Sequence, residues 1–365
     1  MSMKLLYMGK HYLFFVSVAY SYPILRPLQD EIRRRGDQVA WFIEPSCPIL
    51  LRKEEEQLHT IHEVEEYDPI AVFTPGNYIY DFFPGIKVEL FHGYPINKRG
   101  DKKDDHFSIR GWFDVYCTQG STSTIPFKEL EYKYGCFKVY ETGWCKVDGF
   151  TKGRNRNVRR EHPTILYSST FTKGISSAPY LFETIARLSN EKSWNWIISF
   201  HPMFDDAEVI ENYRRLSEAC PNVTFHEGGL IDADLLNQAD VLLCDTSSVI
   251  VEFMLMNKPV VTYRNMTPGN HLLNVLETNG IEDAIEQAIL RPEKLMANIR
   301  AYVYTHERYF DGKSSSRVLD AVNDYLARFS GRIKPKPLNL MRKIKLRLKV
   351  RYYDWQPWAS AFLSL

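Results

Sequence analysis

The sequence predicts an α/β fold in which two doubly wound parallel sheets face a cleft. Short apolar runs alternate with amphipathic stretches along most of the chain, which is the pattern of strand–helix–strand units. One polar, basic stretch, Thr151 to Pro163, divides this alternation into two series. The 365 residues, of which 44% are hydrophobic and 25% charged, suffice for two domains and exclude a disordered or collagen-like chain.

The first series predicts an N-terminal domain over residues 1–150. Helices are expected at Ile24 to Arg35 and Ser123 to Tyr134, where apolar residues recur at helical spacing. The apolar runs around them are typical of the buried strands of a parallel sheet. The predicted strands are Lys4 to Met8, Gln38 to Ile43, Ile70 to Thr74, Lys87 to Phe91, Asp114 to Thr118 and Phe137 to Glu141.

Residues 151–163 are predicted to form a linker, because this stretch lacks apolar periodicity, and the second series predicts a C-terminal domain over residues 164–330. Two sheet domains joined by one linker indicate a cleft between them, where nucleotide-linked substrates usually bind. The predicted strands are Thr164 to Ser168, Trp194 to Phe200, Val223 to His226, Val241 to Cys244 and Pro259 to Tyr263. The predicted helices are Ala178 to Asn190, Glu208 to Ala219, Asp232 to Ala239, Ser248 to Met256 and Val318 to Phe329.

Residues 331–365 are predicted to form a basic, aromatic tail that associates with a membrane. Arg332 to Arg351 holds nine Lys or Arg and no Asp or Glu, whereas the remainder carries 37 basic and 45 acidic residues. Such a tail indicates an anionic partner, and the acidic remainder favours a membrane surface over nucleic acid. The alternative is a surface helix packed on the first two domains, which repulsion among nine cations disfavours. The expected membrane contacts are Arg342, Lys343, Lys345, Arg347, Lys349, Trp355 and Trp358.

Several other classes of protein lack support in the sequence. The apolar run Leu13 to Tyr20 is short for a signal peptide, and no segment reaches the ~18 apolar residues of a membrane span. The six cysteines show neither a CxxC pair nor metal-ligand spacing, and no GxGxxG motif supports a nicotinamide-dependent enzyme. We therefore expect a cytoplasmic or membrane-peripheral protein with no metal and no cofactor.

Two histidines follow predicted strands, one in each domain. His92 precedes a glycine, and His201 precedes a proline. Because ligands of doubly wound sheets bind beyond the carboxyl ends of the strands, both are candidate catalytic residues in the cleft. A neutral imidazole can accept a proton from a hydroxyl, and a protonated one can stabilise phosphate oxygens. Structural, hydrogen-bonded histidines are the alternative.

A hydroxyl-rich loop follows the predicted strand Val241 to Cys244. Its hydroxyls are those of Thr246, Ser247 and Ser248. Hydroxyls and free N–H groups at a helix start favour a phosphate, although an N-cap is the alternative. Asp245 and Glu252 flank these hydroxyls as candidate contacts to a donor polyol or sugar, and a salt bridge is the alternative for Glu252.

A second polar segment, Asp311 to Arg317, precedes the last predicted helix of the C-terminal domain. Ser314, Ser315 and Arg317 are candidate contacts to a donor phosphate, and a simple capped helix is the alternative. The segment lacks the GxxxxGK[ST] spacing of a nucleoside triphosphate loop.

Taken together, these motifs resemble the CDP-glycerol glycerophosphotransferases of teichoic-acid-type polymer synthesis. The resemblance spans roughly residues 86–330 and is carried by Phe91-His-Gly-Tyr-Pro, Ile165-Leu-Tyr-Ser-Ser-Thr-Phe, Ser199-Phe-His-Pro, Ala239-Asp-Val-Leu-Leu-Cys-Asp-Thr-Ser-Ser-Val-Ile-Val-Glu-Phe, Lys258-Pro-Val-Val and Asp311-Gly-Lys-Ser-Ser-Ser-Arg-Val. It implies a GT-B fold of two Rossmann-like domains, in which the first domain binds the acceptor and the second holds the CDP-linked donor. It also implies His92 as the catalytic base, His201 as a phosphate-stabilising residue, and Ser247 and Ser248 as donor-phosphate contacts. Tyr94 stands where the family usually has threonine.

The resemblance implies transfer of glycerol phosphate, or a related polyol phosphate, to a hydroxyl of a polyprenyl-diphosphate-linked glycan at the cytoplasmic face of the cell membrane. Since the chain has room for one catalytic unit, a priming or single-addition enzyme is expected rather than a polymerase. The alternative is a GT-B glycosyltransferase that uses a nucleotide sugar for surface polysaccharide synthesis, with Glu252 or Asp245 as a carboxylate base. Two cleft histidines and a hydroxyl-rich helix start suit phosphoryl transfer better, because this reaction needs charge stabilisation on both sides of the phosphate.

Overall fold

Two parallel sheets, each with helices on its faces, make up the fold. The computed structural model describes residues 9–95, 105–152, 161–227 and 231–352. Every strand pairing between the described strands is parallel. Most strand residues are buried, because helices cover both faces of a doubly wound sheet.

Among the described residues, the first sheet has seven strands in the order β3-β2-β1-β4-β5-β6-β7. Its strands are β1 (His11–Val16), β2 (Gln38–Ile43), β3 (Gln57–Leu58), β4 (Ala71–Thr74), β5 (Ile86–Glu89), β6 (Val115–Thr118) and β7 (Lys138–Glu141). The helices between them are α1 (Tyr22–Arg34), α2 (Ile61–Tyr67) and α3 (Ser121–Tyr134), and α4 (Cys145–Lys152) follows β7. The strand order reverses between β1 and β4, which is therefore the topological switch point.

The described part of the second sheet has six strands in the order β10-β9-β8-β11-β12-β13, and the strand order reverses between β8 and β11. Its strands are β8 (Thr164–Ser169), β9 (Asn195–Phe200), β10 (Val223–Phe225), β11 (Val241–Cys244), β12 (Val260–Tyr263) and β13 (Leu273–Val275). The helices of this part of the chain are α5 (Ala178–Glu191), α6 (Ala207–Ala219), α7 (Ala233–Gln238), α8 (Val249–Leu255), α9 (Ile281–Ile289) and α10 (Glu293–His306). Two further helices follow, α11 (Ser314–Arg328) and α12 (Leu340–Val350).

The prediction of two doubly wound parallel sheets is confirmed, and the predicted strands and helices that fall within the described residues agree with the structure to within a few residues. The apolar run at Leu13 to Tyr20 contains most of β1, at the centre of the first sheet. The predicted strand at Lys4 to Met8 and residues 153–160 of the predicted linker lie outside the described residues. The sequence analysis did not predict the strands β1, β3 and β13 or the helices α2, α4, α9 and α10.

The helix α11 follows the second sheet in sequence but packs on the first. It contacts α1, α4, β6 and β7. Tyr140 of β7 donates a hydrogen bond to Asp324 at 2.7 Å, and Lys10 donates one to Asn323 at 2.7 Å. A helix inside the predicted domain 164–330 therefore belongs by its contacts to the N-terminal sheet, and the chain crosses between the two sheets a second time.

The helix α12 covers the first sheet beside the connection from β4 to β5, residues 75–85, which contains no helix of its own. Leu346 is buried in the apolar cluster on this face of the sheet, and Val350 packs against the same cluster. The Arg347 guanidinium is 2.7 Å from the Asp81 carboxylate and lies 5.1 Å from the centre of the Phe82 ring. The helix α12 thus covers the part of the first sheet that a helix between β4 and β5 would otherwise cover.

This packing corrects part of the predicted membrane tail. Arg347 is only 1% exposed, and Lys343 forms an ion pair with Asp81 at 3.6 Å, so neither side chain faces outward. Acidic residues of the first domain offset the repulsion among the cations of the helix, and Lys349 likewise lies 3.7 Å from Glu44. Trp355 and Trp358 lie outside the described residues. In the part of the chain that the structure describes, no helix has the length and apolar character needed to cross a bilayer.

Candidate active site

The turn after β5 brings the first domain into contact with the start of α8 in the second domain. A Cβ atom on Gly93 would lie 3.2 Å from Ser248 Oγ and 3.4 Å from Ser248 Cβ, so glycine permits this close approach. The turn is made by Phe91, which adopts a left-handed φ of 57°. Trp144 holds this conformation by donating a hydrogen bond to the Phe91 carbonyl at 3.1 Å. The structure therefore brings the turn that carries His92 against Ser248, so these two predicted site residues lie near each other where the two domains meet.

His92 is exposed at the carboxyl edge of the first sheet. Its Nδ1 lies 3.2 Å from the carbonyl oxygen of Pro75, which follows β4. Because a carbonyl oxygen can only accept, this contact assigns the proton to Nδ1 and leaves Nε2 as the acceptor in the neutral ring. An imidazole in that tautomer is suited to take a proton from a substrate hydroxyl.

His201 is half-buried at the carboxyl edge of the second sheet, directly after β9. The backbone N–H of Met203 donates to its Nδ1 at 3.1 Å, and the ring centre lies 4.4 Å from that of Phe171. This contact assigns the opposite tautomer, with the proton on Nε2. His201 is therefore suited to donate a hydrogen bond to a phosphate oxygen, while His92 is suited to accept a proton.

The side chain of Asp245 holds together loops at the carboxyl edge of the second sheet and is not a contact to the CDP-linked donor. The carboxylate is fully buried and accepts hydrogen bonds from the Ser169 hydroxyl at 2.7 Å and from the Thr170 and Ser177 N–H groups at 3.0 Å. Burial raises the pKa of Asp245, against the lowering effect of these hydrogen bonds. The expectation that it touches a polyol or sugar is corrected, since its oxygens tie β8 and α5 to the end of β11.

The three predicted hydroxyls after Asp245 differ in their surroundings. Thr246 is 1% exposed and its Oγ1 accepts from the N–H of Met266 at 3.0 Å, so it stabilises the loop after β12. Ser247 and Ser248 are half-buried. Ser247 Oγ accepts a long hydrogen bond of 3.4 Å from Val249 N–H, and the Ser248 side chain makes no capping bond. Of the three, Ser247 and Ser248 remain placed to meet a ligand.

Glu252 forms a salt bridge, which the sequence analysis gave as the alternative to a polyol or sugar contact. Its carboxylate pairs with Lys146 of α4, and the Glu252 residue is 5% exposed. The Lys146 ammonium also donates to the Ile231 carbonyl at 3.3 Å. This ion pair joins α4 to α8, and it corrects the expectation of a sugar contact.

The second predicted phosphate segment is also corrected. The N–H groups of Ser314 and Ser315 donate to the carboxylate of Asp148 at 2.9 and 2.7 Å, and both serines are buried. Asp148 therefore occupies the start of α11, where a phosphate was expected. Arg317 pairs with Asp311 and stacks on Tyr309 at 3.7 Å. This segment is therefore the capped start of a helix, which was the alternative to a phosphate contact.

The sequence analysis did not single out Glu307, a buried acid in this region. Glu307, in the crossover from α10 to α11, accepts hydrogen bonds from the Tyr94 hydroxyl at 2.8 Å and from the Trp144 N–H at 3.2 Å. Burial raises the pKa of Glu307 well above its ordinary value. Tyr94, where the resembling family usually has threonine, thus holds the crossover against the turn that carries His92. Only an acid among aromatic residues at the end of α10 marks this site in the sequence.

The comparisons with known proteins place this architecture in a family. Residues 87–324 match the family model of CDP-Glycerol:Poly(glycerophosphate) glycerophosphotransferase. The wall teichoic acid polymerase TagF is 13% identical with a TM-score of 0.60, covering 86% of this chain and 89% of that chain. A TagF variant soaked with CDPG is 14% identical with a TM-score of 0.60, covering 86% of this chain and 87% of that one.

A second relative by fold was solved together with UDP. The S. aureus MnaA–UDP co-structure is 14% identical with a TM-score of 0.60, and the similarity covers 90% of this chain and 99% of that chain. No curated protein sequence matches this chain. These likenesses establish a GT-B-like fold of two Rossmann-like domains. The family model covers well over half of the chain and includes both histidine motifs, so the chain belongs to the CDP-glycerol:poly(glycerophosphate) glycerophosphotransferase family and is an enzyme of that family.

Proposed function

We propose that the protein transfers glycerol phosphate from CDP-glycerol to a hydroxyl of a polyprenyl-diphosphate-linked glycan, as a priming or single-addition enzyme. The observation that carries the proposal is the contact between the His92–Gly93 turn and Ser248. It puts a proton acceptor of the first domain beside hydroxyls of the second. An acceptor hydroxyl and a donor phosphate held on these two walls would meet in the cleft.

The chemistry follows from the two histidine tautomers. His92 Nε2 takes the proton of the acceptor hydroxyl as the oxygen attacks the β-phosphorus of CDP-glycerol. The phosphoanhydride bond breaks, glycerol phosphate passes to the acceptor, and CMP leaves. His201 donates its Nε2 proton as a hydrogen bond to a phosphate oxygen, and Ser247 and Ser248 donate through their hydroxyls, which stabilises the charge that develops in the transition state.

The contacts of Asp245 and Glu252 disfavour the alternative function, that of a glycosyltransferase that uses a nucleotide sugar. Such an enzyme would recruit a carboxylate base, and Asp245 and Glu252 were the candidates. Asp245 is fully buried under its hydrogen bonds, and Glu252 is paired with Lys146. Phosphoryl transfer with a histidine base uses groups that the cleft does present.

The proposal also places the enzyme at the cytoplasmic face of the membrane, bound peripherally. The outward face of α12 supports this placement. Met341 and Leu348 are 70% and 54% exposed, and Arg342, Lys345 and Lys349 are exposed on the same helix. Apolar side chains interleaved with cations favour the interface of an anionic leaflet.

A panel of CDP-polyols and nucleotide sugars, each with a short-chain lipid-linked glycan, tests the proposed function. We expect CMP release with CDP-glycerol, together with a product that is one glycerol phosphate heavier than the acceptor. A nucleoside diphosphate product would instead indicate glycosyl transfer. A ladder of products would contradict single addition.

A further inference from the structure

The turn that carries the proposed base is held by hydrogen bonds on both sides of His92. Before it, the Trp144 indole donates to the Phe91 carbonyl, and after it the side-chain amide of Gln119 donates to the Gly93 carbonyl at 3.2 Å. The left-handed φ of 57° at Phe91 is a strained conformation, which a bulky residue keeps only where its surroundings impose it. Since the His92 ring is exposed, its direction depends strongly on this backbone.

Glu307, in the crossover from α10 to α11, lies directly behind this turn. Its Oε2 atom accepts a hydrogen bond from the Tyr94 hydroxyl at 2.8 Å and one from the Trp144 N–H at 3.2 Å. Trp144 is the same residue whose indole holds the Phe91 carbonyl. All of these residues are buried, so bulk water does not compete for the bonds. One carboxyl oxygen thus holds the residue after Gly93 and the residue that fixes Phe91.

The backbone around Glu307 is shaped to admit it. Gly143, between β7 and α4, has a φ of 75°, and a Cβ atom there would lie 2.7 Å from Glu307 Oε1 and 2.5 Å from Ser314 Oγ. Only glycine leaves room for the acid at this point. The next residue of the crossover, Arg308, donates its N–H to the Gln119 carbonyl at 3.1 Å. The crossover therefore contacts both residues that hold the turn, Trp144 through Glu307 and Gln119 through Arg308.

We propose that Glu307 is a positioning residue for His92, which holds Tyr94 and Trp144 so that the turn from Phe91 to Gly93 presents the imidazole to the acceptor hydroxyl. Glu307 is itself buried, so it acts on turnover through the turn and not by touching substrate. This inference rests on the proposed function, because it assigns a role toward the base of the same site. A threonine at position 94 would be too short to reach Glu307, so the arrangement depends on the tyrosine of this chain.

Substitutions of Glu307 test the inference by separating turnover from donor binding. Glu307→Ala should lower kcat for CMP release about tenfold, because a base displaced by even ~1 Å is poorly placed for proton transfer. The affinity for CDP-glycerol, measured by titration calorimetry, should stay near that of the unchanged protein. Glu307→Gln can keep an oxygen on Tyr94 and Trp144 and turn its amide nitrogen towards Tyr309, whose N–H lies at a long 3.4 Å, so it should restore most of the turnover.

Glu55→Ala is the matched control. Glu55 is also a buried carboxylate of the first domain, and it accepts hydrogen bonds from Arg26 and Gln29 of α1. Its removal should lower the Tm, as that of Glu307 should, but leave kcat near normal. A kcat loss in Glu55→Ala as large as that in Glu307→Ala would overturn the inference, because any loss of stability would then have the same effect.

Combination with His92→Ala shows whether the effect passes through the base. We expect Glu307→Ala to cause no further loss of kcat in the His92→Ala background, because two changes that act through one group are not additive. Losses that multiply, or near-normal kcat in folded Glu307→Ala, overturn the inference while leaving the proposed function intact.

Tyr94→Phe decides the question if Glu307→Ala does not fold. It removes one of the two hydrogen bonds to Glu307 Oε2 and keeps the ring. It should lower kcat about threefold, the scale of one lost hydrogen bond, and this loss should also vanish in the His92→Ala background. An unchanged kcat in Tyr94→Phe overturns the inference. Absence of CMP release from CDP-glycerol by the unchanged protein rejects the proposed function, and the inference with it.

Discussion

Arg347 of α12 and Asp81 of the β4–β5 connection form an ion pair with 2.7 Å between guanidinium and carboxylate, and the arginine side chain is only 2% exposed. A buried cation needs such a partner, because removing it leaves an uncompensated charge. The pair therefore makes α12 part of the first domain. Deleting the chain after Ser330 would therefore expose the apolar cluster in which Leu346 is buried.

Asp81→Ala should destabilise the protein by about 3 kcal/mol, the usual cost of leaving one partner of a buried ion pair alone. Chemical denaturation followed by circular dichroism measures the change. Lys345→Ala, at an exposed position of the same helix, is the control and should have little effect. A stability loss no larger than that of the control would contradict the structural role of the pair.

His92→Ala should lower kcat by about 100-fold, the scale of a lost general base, while the affinity for CDP-glycerol stays near that of the unchanged protein. His201→Ala should impair both turnover and donor binding, because its proposed partner is the donor phosphate. Steady-state CMP release and calorimetric titration with CDP-glycerol separate the two effects. His62→Ala, on a side chain 78% exposed in α2, is the control. Near-normal turnover of His92→Ala would remove it from the mechanism.

Replacing Ser247 and Ser248 together by alanine should weaken CDP-glycerol binding by about 1.5 kcal/mol or more per lost hydrogen bond to a charged group. Ser330→Ala, at an exposed serine outside the cleft, serves as the control. Titration calorimetry gives the affinity and thermal melting the stability. A variant that melts earlier yet binds CDP-glycerol normally would show that the two serines only start α8.

Glu89 predicts a pH dependence of stability. Burial raises the pKa of this carboxyl, at the end of β5, from 4.5 to about 8. Between these two values the folded protein holds a proton that the unfolded chain releases, so the contribution of Glu89 to stability falls as the pH rises. Glu89→Gln removes this term, and its Tm relative to the unchanged protein should rise from pH 5 towards about pH 8 and level off above it. Glu54→Gln, at an exposed position, should show no such trend. A Tm difference independent of pH would contradict the shifted pKa.

Met341→Glu combined with Leu348→Glu should lower co-sedimentation with anionic liposomes without lowering the Tm. Both side chains are more than half exposed on the outward face of α12, so their replacement disturbs no packing. The control is Leu290→Glu, at a side chain 80% exposed after α9. Equal partitioning of the double variant and the control would reject α12 as the membrane contact.

The sequence predicted those parts of the fold and site that depend on local pattern. Buried strands have apolar runs, and residues after parallel strands lie at the carboxyl edge of their sheet, which is why His92 could be expected at that edge of the first sheet and Ser248 at that edge of the second. Partners distant in sequence left no such pattern. Asp148 caps Ser314, 166 residues away, and Asp81 pairs with Arg347, 266 residues away. The sequence analysis therefore predicted a phosphate contact for the serines at the start of α11 and a membrane contact for the basic tail. It could not show that both segments have partners within the protein.

The return of α11 and α12 to the first sheet has a consequence for synthesis on the ribosome. The first domain lacks two of its covering helices until residue 350 has emerged, after the whole second domain has been translated. Domains generally fold as units in the order of their synthesis. Here the second sheet can complete its packing while apolar surface of the first sheet is still uncovered, because α12 has not yet been synthesised. We therefore expect the nascent N-terminal half to expose apolar surface until these helices have emerged.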